Sequence, residues 1–173
     1  MQSSKLDRLL TAAIGILLAA LIAVFAGAVH EKVVGVGDRA PQFSIRTDNG
    51  IAISPAGFGG RLLVLNFWAT WCPPCIEEMP SLDQMHKELK DSGVVVLGVS
   101  VDEDESAYKN FVQRAGVSFL TARDPTAEIS SLYGTYRYPE TYVINQQGKV
   151  VQKIIGATVW TDERMMNYLR SLL

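Results

Sequence analysis

Apolar positions change their rhythm along the chain, and each rhythm predicts a different element. Residues 9–29, LLTAAIGILLAALIAVFAGAV, carry no charge; as a helix rising 1.5 Å per residue this run is roughly 30 Å long, the thickness of a hydrocarbon core. Lys5 and Arg8 precede it with only Asp7 opposing, a bias that keeps residues 1–8 in the cytoplasm and sends everything after His30 across the lipid bilayer. The run exceeds the about 7–15 residues of a signal-peptide core, which favours a retained single-pass transmembrane anchor over residues 9–29. Ala26, Gly27 and Ala28 keep a cleaved secretory signal as the alternative. No cysteine lies near the end of the run, which argues against an acylated lipoprotein anchor. Both readings place the remainder outside the cytoplasm, in a periplasm or on the outer face of the cell membrane, with residues 30–36 as linker and 37–173 as the exported domain.

In that domain, residues 42–46 and 51–53 alternate around the turn signal Asp48, Asn49, Gly50, predicting a leading hairpin. LLVLNF (residues 62–67) and VVVLGVS (residues 94–100) are nearly continuous apolar runs, as parallel strands covered on both faces require. Between them Ile76, Met79, Leu82, Met85 and Leu89 recur at helical spacing, completing a βαβ unit. A second helix is predicted over 105–115, with Phe111 and Val112 inward and Gly116 as its stop. A short third is predicted over 125–133. ETYVIN and KVVQKII flank Gln146, Gln147 and Gly148 closely enough to be antiparallel neighbours. Thr161 is the expected cap of a last helix, with Asp162 and Glu163 in its first turn and Met166, Leu169 and Leu173 inward. After the hairpin the order reads β, α, β, α, α, β, β, α, an α/β domain.

Composition narrows the chemistry. The 173 residues carry a formal charge of −2, so no nucleic-acid partner is expected. Only two cysteines occur, Cys72 and Cys75, within NFWATWCPPCIEEMP. A pair so close in sequence closes too small a loop to staple distant segments, so its purpose is reactivity. Half a zinc site is the rival reading, but a tetrahedral site needs four ligands. The available histidines are His30, beside the apolar run, and His86, which reads as a surface residue on a solvated helix face. No metal and no cofactor are expected.

Cys72 follows an apolar strand directly, and Pro73 and Pro74 stand where a helix begins, positions that tolerate proline because the first amides lack intrahelical acceptors. The positive end of the helix dipole is worth about 0.3 to 1 kcal/mol to a thiolate, or up to roughly one pKa unit. Cys72 is therefore read as nucleophile and Cys75, one turn later, as resolver, with Pro73 and Pro74 holding their separation.

WCPPC after an apolar strand, a helix interrupted by Pro80 and a later YPETYVIN resemble the thioredoxin fold. More narrowly, they resemble the membrane-tethered TlpA-like, ResA-like and CcmG-like (DsbE-related) thiol-disulfide oxidoreductases, from about residue 37 to the C-terminus. The opening VGDRAPQFSI is shared with that branch and with peroxiredoxins. The resemblance implies a central mixed sheet flanked by helices, and a Cys72–Cys75 redox-active disulfide. It also implies a cis Pro139, with the Tyr138 backbone pairing with a substrate strand and Glu140 and Thr141 as the P-E-T variant. Glu78 matches an acidic residue near the active site and is the candidate proton acceptor for Cys75; the competing reading is a solvated glutamate like Glu77. Asn66 departs from thioredoxins proper, which hold a buried aspartate there, and asparagine moves no proton at physiological pH.

Trp71 reads as an apolar rim beside the nucleophile, completing with Tyr138, Pro73 and Pro74 the substrate-binding surface. Trp68 reads as core, and Tyr133, Tyr136 and Tyr142 as packing. Because Pro73 and Pro74 offer no side-chain donor to stabilise a reduced form, the resemblance implies a reductant of selected protein disulfides, such as those of apocytochrome c in cytochrome c biogenesis or of copper-assembly proteins. A membrane thiol carrier of the DsbD or CcdA kind would recharge it. The alternatives are a peroxidase, although NFWATWCPPC lacks the P-x-x-x-T-x-x-C context, and a copper metallochaperone using the two sulfurs.

Overall fold

The computed structural model describes residues 3–28 and 33–173. Residues 29–32, which include His30 and the end of the 9–29 run, lie outside the described residues. The chain divides into two compact units, Met1–Lys32 and Val33–Leu173. The first holds one helix, α1 (Ser3–Ala28), whose stretch Asp7–Val24 has a mean hydropathy of 2.0. Its 26 residues make it long and apolar enough to cross a membrane.

The second unit opens with Val34, already 3% exposed and hydrogen-bonded from its N–H to the Tyr133 carbonyl. The hairpin strands β1 (Ile45–Arg46) and β2 (Ala52–Ile53) are shorter than the alternation over 42–46 predicts. Its turn is closed by the Thr47 N–H and hydroxyl, both donating to the Ile51 carbonyl at 2.8 Å, with Gly50 at φ 86°, a conformation only glycine adopts without strain. Then follow β3 (Leu62–Trp68), α2 (Pro73–Leu89), β4 (Val94–Ser100), α3 (Glu105–Ala115), β5 (Leu120–Arg123), α4 (Glu128–Leu132), β6 (Glu140–Asn145), β7 (Val150–Ile155) and α5 (Glu163–Ser171).

The five longer strands form one mixed sheet in the order β5-β4-β3-β6-β7, with β3 parallel to β4 and antiparallel to β6. Two successive parallel crossovers step the same way across the sheet, β3 to β4 and β4 to β5. The fixed hand of such crossovers then puts both helices on one face. Accordingly Leu62, Val64 and Trp68 pack with Met79, Leu82 and Met85 of α2, Tyr108 of α3 and Met166 of α5. Alternate residues Leu63, Leu65 and Phe67 turn to the other face, against Ile53, Phe58, Tyr133 and Tyr142. The architecture is a thioredoxin-like α/β fold.

Four further sequence expectations change. The passage after Gly116, read as leading from helix to helix, contains β5, an edge strand paired with Leu97–Ser100. Four residues mixing Leu120 and Ala122 with Thr121 and Arg123 are too few and too polar to show a period; the ladder to β4 makes the strand. α4 is shorter than 125–133 because the Asp124 carboxylate accepts the Ile129 N–H at 2.7 Å and ties down the approach. The last helix is capped by Asp162, whose side chain accepts the Arg164 N–H at 2.9 Å, one residue after the expected Thr161. In α3, Phe111 and Val112 are only partly buried, and Tyr108 is the buried contact, its ring tilted against that of Trp68 at 6.0 Å.

Candidate active site

Where β3 ends at Trp68 the chain turns through Ala69, Thr70 and Trp71 into α2. The turn is closed by the Cys72 N–H donating to the Ala69 carbonyl at 3.2 Å. Cys72 is the N-cap, extended at φ −105° and ψ 97°, and Pro73 and Pro74 open the helix. Proline costs nothing there because the first helical amides have no intrahelical acceptor. Cys72 and Cys75 are joined with an S–S distance of 2.10 Å. Cys75 is fully buried, whereas Cys72 keeps 5% of its surface.

Around Cys72 the surface is aromatic. Trp71 is 64% exposed and meets Tyr138 edge-on at 5.9 Å. The Tyr138 hydroxyl lies 3.2 Å from that of Ser130 on α4. Pro73 and Pro74 are exposed; Pro139 is buried, and the Tyr138–Pro139 bond is cis. Tyr138 has no backbone hydrogen-bond partner among the described residues. Trp68, Tyr133 and Tyr142 are core, and Tyr136 is an exposed residue beneath the Arg137 guanidinium.

Beneath Cys75, on the next turn of α2, Glu78 is only 3% exposed, unlike the solvent-facing Glu77. Its Oε1 accepts from Asn66 Nδ2 at 2.8 Å; its Oε2 accepts from the Thr158 N–H at 3.1 Å and the Trp160 indole N–H at 3.3 Å. All three donors are neutral. Burial raises the Glu78 pKa above the ordinary carboxylate range, and these hydrogen bonds offset only part of that rise. Asn66, fully buried opposite Thr141 of β6, gives its second amide hydrogen to the Thr141 hydroxyl at 2.9 Å, and its Oδ1 has no partner among the described residues. A groove of about 470 Å³ is lined in part by Glu78, with Pro80, Ala157, Thr158 and Val159.

Thr158 and Trp160 are site residues that sequence reasoning missed, because they approach Glu78 from the loop between β7 and α5. The visible signal was Asn66, a single amide inside an otherwise apolar strand. Glu140 forms a buried ion pair with Lys153 at 2.7 Å and accepts from the Tyr142 hydroxyl. His86 is not a surface residue: it is partly buried edge-on to Phe119, at 6.4 Å. Desolvation there lowers its pKa. No cluster of three or more metal-ligating side chains occurs among the described residues.

Comparison with known proteins is consistent with this geometry. The AhpC/TSA family model matches residues 36–153. The thiol-disulfide oxidoreductase ResA of Bacillus thuringiensis subsp. konkukian is 35% identical over 142 residues, covering 82% of this chain and 81% of the relative. ResA of Bacillus subtilis is 34% identical over 147 residues, covering 85% and 79%. Among solved structures, a DsbE-like protein from Chlorobium tepidum superposes with a TM-score of 0.73 at 27% identity, covering 80% of this chain and 98% of that one. A thiol-disulfide oxidoreductase from Bacteroides fragilis gives 0.67 at 28% identity, covering 79% and 100%.

Proposed function

Because the chain belongs to the AhpC/TSA family and, within it, to the ResA-type thiol-disulfide oxidoreductases, we propose that it reduces selected protein disulfides outside the cytoplasm, anchored by α1. Cys72 is the nucleophile and Cys75 the resolver. The observation that carries this reading is the asymmetry of the pair: Cys72 caps α2 with some surface beside the exposed Trp71, and Cys75 is sealed on the same helix as Glu78.

The pair is first reduced by a donor dithiol, which supplies two electrons and two protons. The Cys72 thiolate, favoured by the positive end of the α2 dipole, attacks one sulfur of the substrate disulfide. That bond breaks, a mixed disulfide forms, and the departing substrate sulfur takes a proton. Glu78, made more basic by burial, accepts the Cys75 proton. The Cys75 thiolate then attacks Cys72 Sγ, forming the internal disulfide and releasing the second substrate sulfur, which takes up the proton. The substrate has gained two electrons and two protons. The unpaired Tyr138 backbone offers an edge to which an extended substrate segment adds as a short strand.

Pro73 and Pro74 supply no donor that would stabilise the reduced pair as in a strong oxidant, which supports the reducing direction. Suitable substrates are the paired cysteines of apocytochrome c or of copper-assembly proteins, with a membrane thiol carrier of the DsbD or CcdA kind as donor. The test is the full-length chain in its membrane with Cys75→Ala, followed by mass spectrometry of whatever is trapped through Cys72. Capture of exported disulfide proteins is expected; capture by Cys72→Ala alone would reverse the roles. The AhpC/TSA match keeps a peroxidase as the second reading, and rapid peroxide consumption by the reduced protein would favour it.

A further inference from the structure

A second buried carboxylate grips the redox loop from the neighbouring strand. Asp102, 2% exposed, lies two residues beyond the end of β4. Its Oδ2 accepts from the Thr70 backbone N–H at 2.9 Å and the Ser100 hydroxyl at 2.6 Å, and its Oδ1 accepts from the Thr70 hydroxyl at 2.6 Å. The Asp102 N–H donates back to the Ser100 oxygen at 3.0 Å. Among the described residues no cation pairs with this carboxylate; Arg123 donates instead to the carbonyls of Asp102 and Glu103 and to the Glu105 carboxylate.

Burying a carboxylate against neutral donors alone is costly, and here every donor but the Ser100 hydroxyl belongs to one residue, Thr70, two residues before Cys72. β3 has ended by then: the Trp68 carbonyl accepts the Val101 N–H at 2.9 Å, and the next backbone tie is the Ala69–Cys72 turn. Among the described residues, Thr70 is the one link between strand end and helix cap held by a side chain of another strand's extension.

We propose that Asp102 is the positioning residue of the redox loop, clamping Thr70 so that Cys72 keeps its extended cap conformation and its sulfur stays at the positive end of the α2 dipole. Asp102 touches no reacting atom and acts through Thr70. The inference rests on reading Cys72 as the nucleophile. A comparable carboxylate elsewhere provides a control: Asp48 accepts from the Tyr108 and Thr121 hydroxyls and ties the hairpin to α3 and β5, without touching the loop.

The experiment follows the pH dependence of Cys72 alkylation in the reduced full-length protein, with Cys75→Ala in every sample so that one thiol is read. Asp102→Ala is expected to raise the midpoint by about one unit, about tenfold less thiolate below it. Thr70→Val, which keeps the shape and the N–H, should move it part of the way, and Thr70→Ser should restore it. Tyr108→Phe, breaking the other clamp, should lower thermal stability and leave the midpoint in place. Unchanged midpoints in Asp102→Ala and Thr70→Val, or an equal shift in Tyr108→Phe, overturn the proposal; should Asp102→Ala not fold, Thr70→Val decides. No substrate is needed, so failure to reduce any protein disulfide would sink the functional reading separately.

Discussion

Glu78 and Glu140 are buried to the same degree, 3% and 2% exposed, and meet adjacent residues of β3 from opposite faces of the sheet: Glu78 bonds Asn66, and Glu140 pairs with Phe67. Their surroundings differ in one respect. Glu140 sits against the Lys153 ammonium, which also donates to the Val34 carbonyl at 3.0 Å and lies 5.0 Å from the Tyr142 ring. Glu78 meets only amides and an indole, and opens onto a groove. Burial by itself therefore does not mark a proton carrier. A counter-charge turns one carboxylate into a brace between β6, β7 and the start of the unit, and its absence leaves the other holding its proton more tightly than usual.

The comparison can be broken at several points. Removing the proposed nucleophile has the largest effect: Cys72→Ser is expected to abolish reduction of a protein disulfide, read as loss of thiol release, with Glu78 and Glu140 untouched. Lys153→Met strands the Glu140 charge in the core, and denaturant unfolding should show a loss of about 3–5 kcal/mol. A loss below about 1 kcal/mol would show the ion pair to be no brace.

Glu78→Gln should cost about 1–3 kcal/mol of stability. Its oxygen can keep the Thr158 and Trp160 donors, and a flip of Asn66 presents Oδ1 to the new amide and to the Thr141 hydroxyl, which leaves the Asn66 amide hydrogens where Oδ1 now lacks a partner. Release of the mixed disulfide should slow about 100-fold, roughly 2.7 kcal/mol of barrier, seen in single-turnover experiments as an accumulating covalent complex. An unchanged release rate removes Glu78 from the proton path.

The smallest effect is on stability against pH. Since burial raises the folded-state pKa of Glu78, the folded chain binds that proton more tightly than the unfolded chain. The protonated group disfavours folding least below about pH 4.3, the ordinary glutamate value. Stability declines as pH rises from there through the raised folded value, then levels. Glu78→Gln should therefore gain on the parent protein over that window, measured as the difference in unfolding free energy; a difference independent of pH contradicts the shift.

The elements with a clean period are legible in the sequence: the apolar stretch of α1, the buried runs of β3 and β4, the helical spacing in α2, and the antiparallel pair β6–β7. β5 is not, because four mixed residues become a strand only when Val99 and its neighbours offer a ladder. The thiol pair and its prolines were equally plain, since a helix start is a local event. Glu78 was ambiguous for the opposite reason. Its spacing from Cys75, Leu82 and Met85 puts it on the buried face of its helix, which Glu77 does not share, but two of its three donors, Thr158 and Trp160, lie 80 and 82 residues away. His86 was misjudged likewise, its environment being set by Phe119 on another segment.

Nearest-neighbour chemistry along the chain suffices for a membrane-length helix, for the succession of most strands and helices, and for a cysteine placed at a helix cap, because each depends on spacing within a few residues. Which carboxylate receives a lysine, which receives only neutral donors, and which grips the loop before Cys72 are outcomes of chain segments meeting in space. Charge compensation acts over a few ångströms of distance and is indifferent to separation in sequence, so it became visible only once the sheet had assembled.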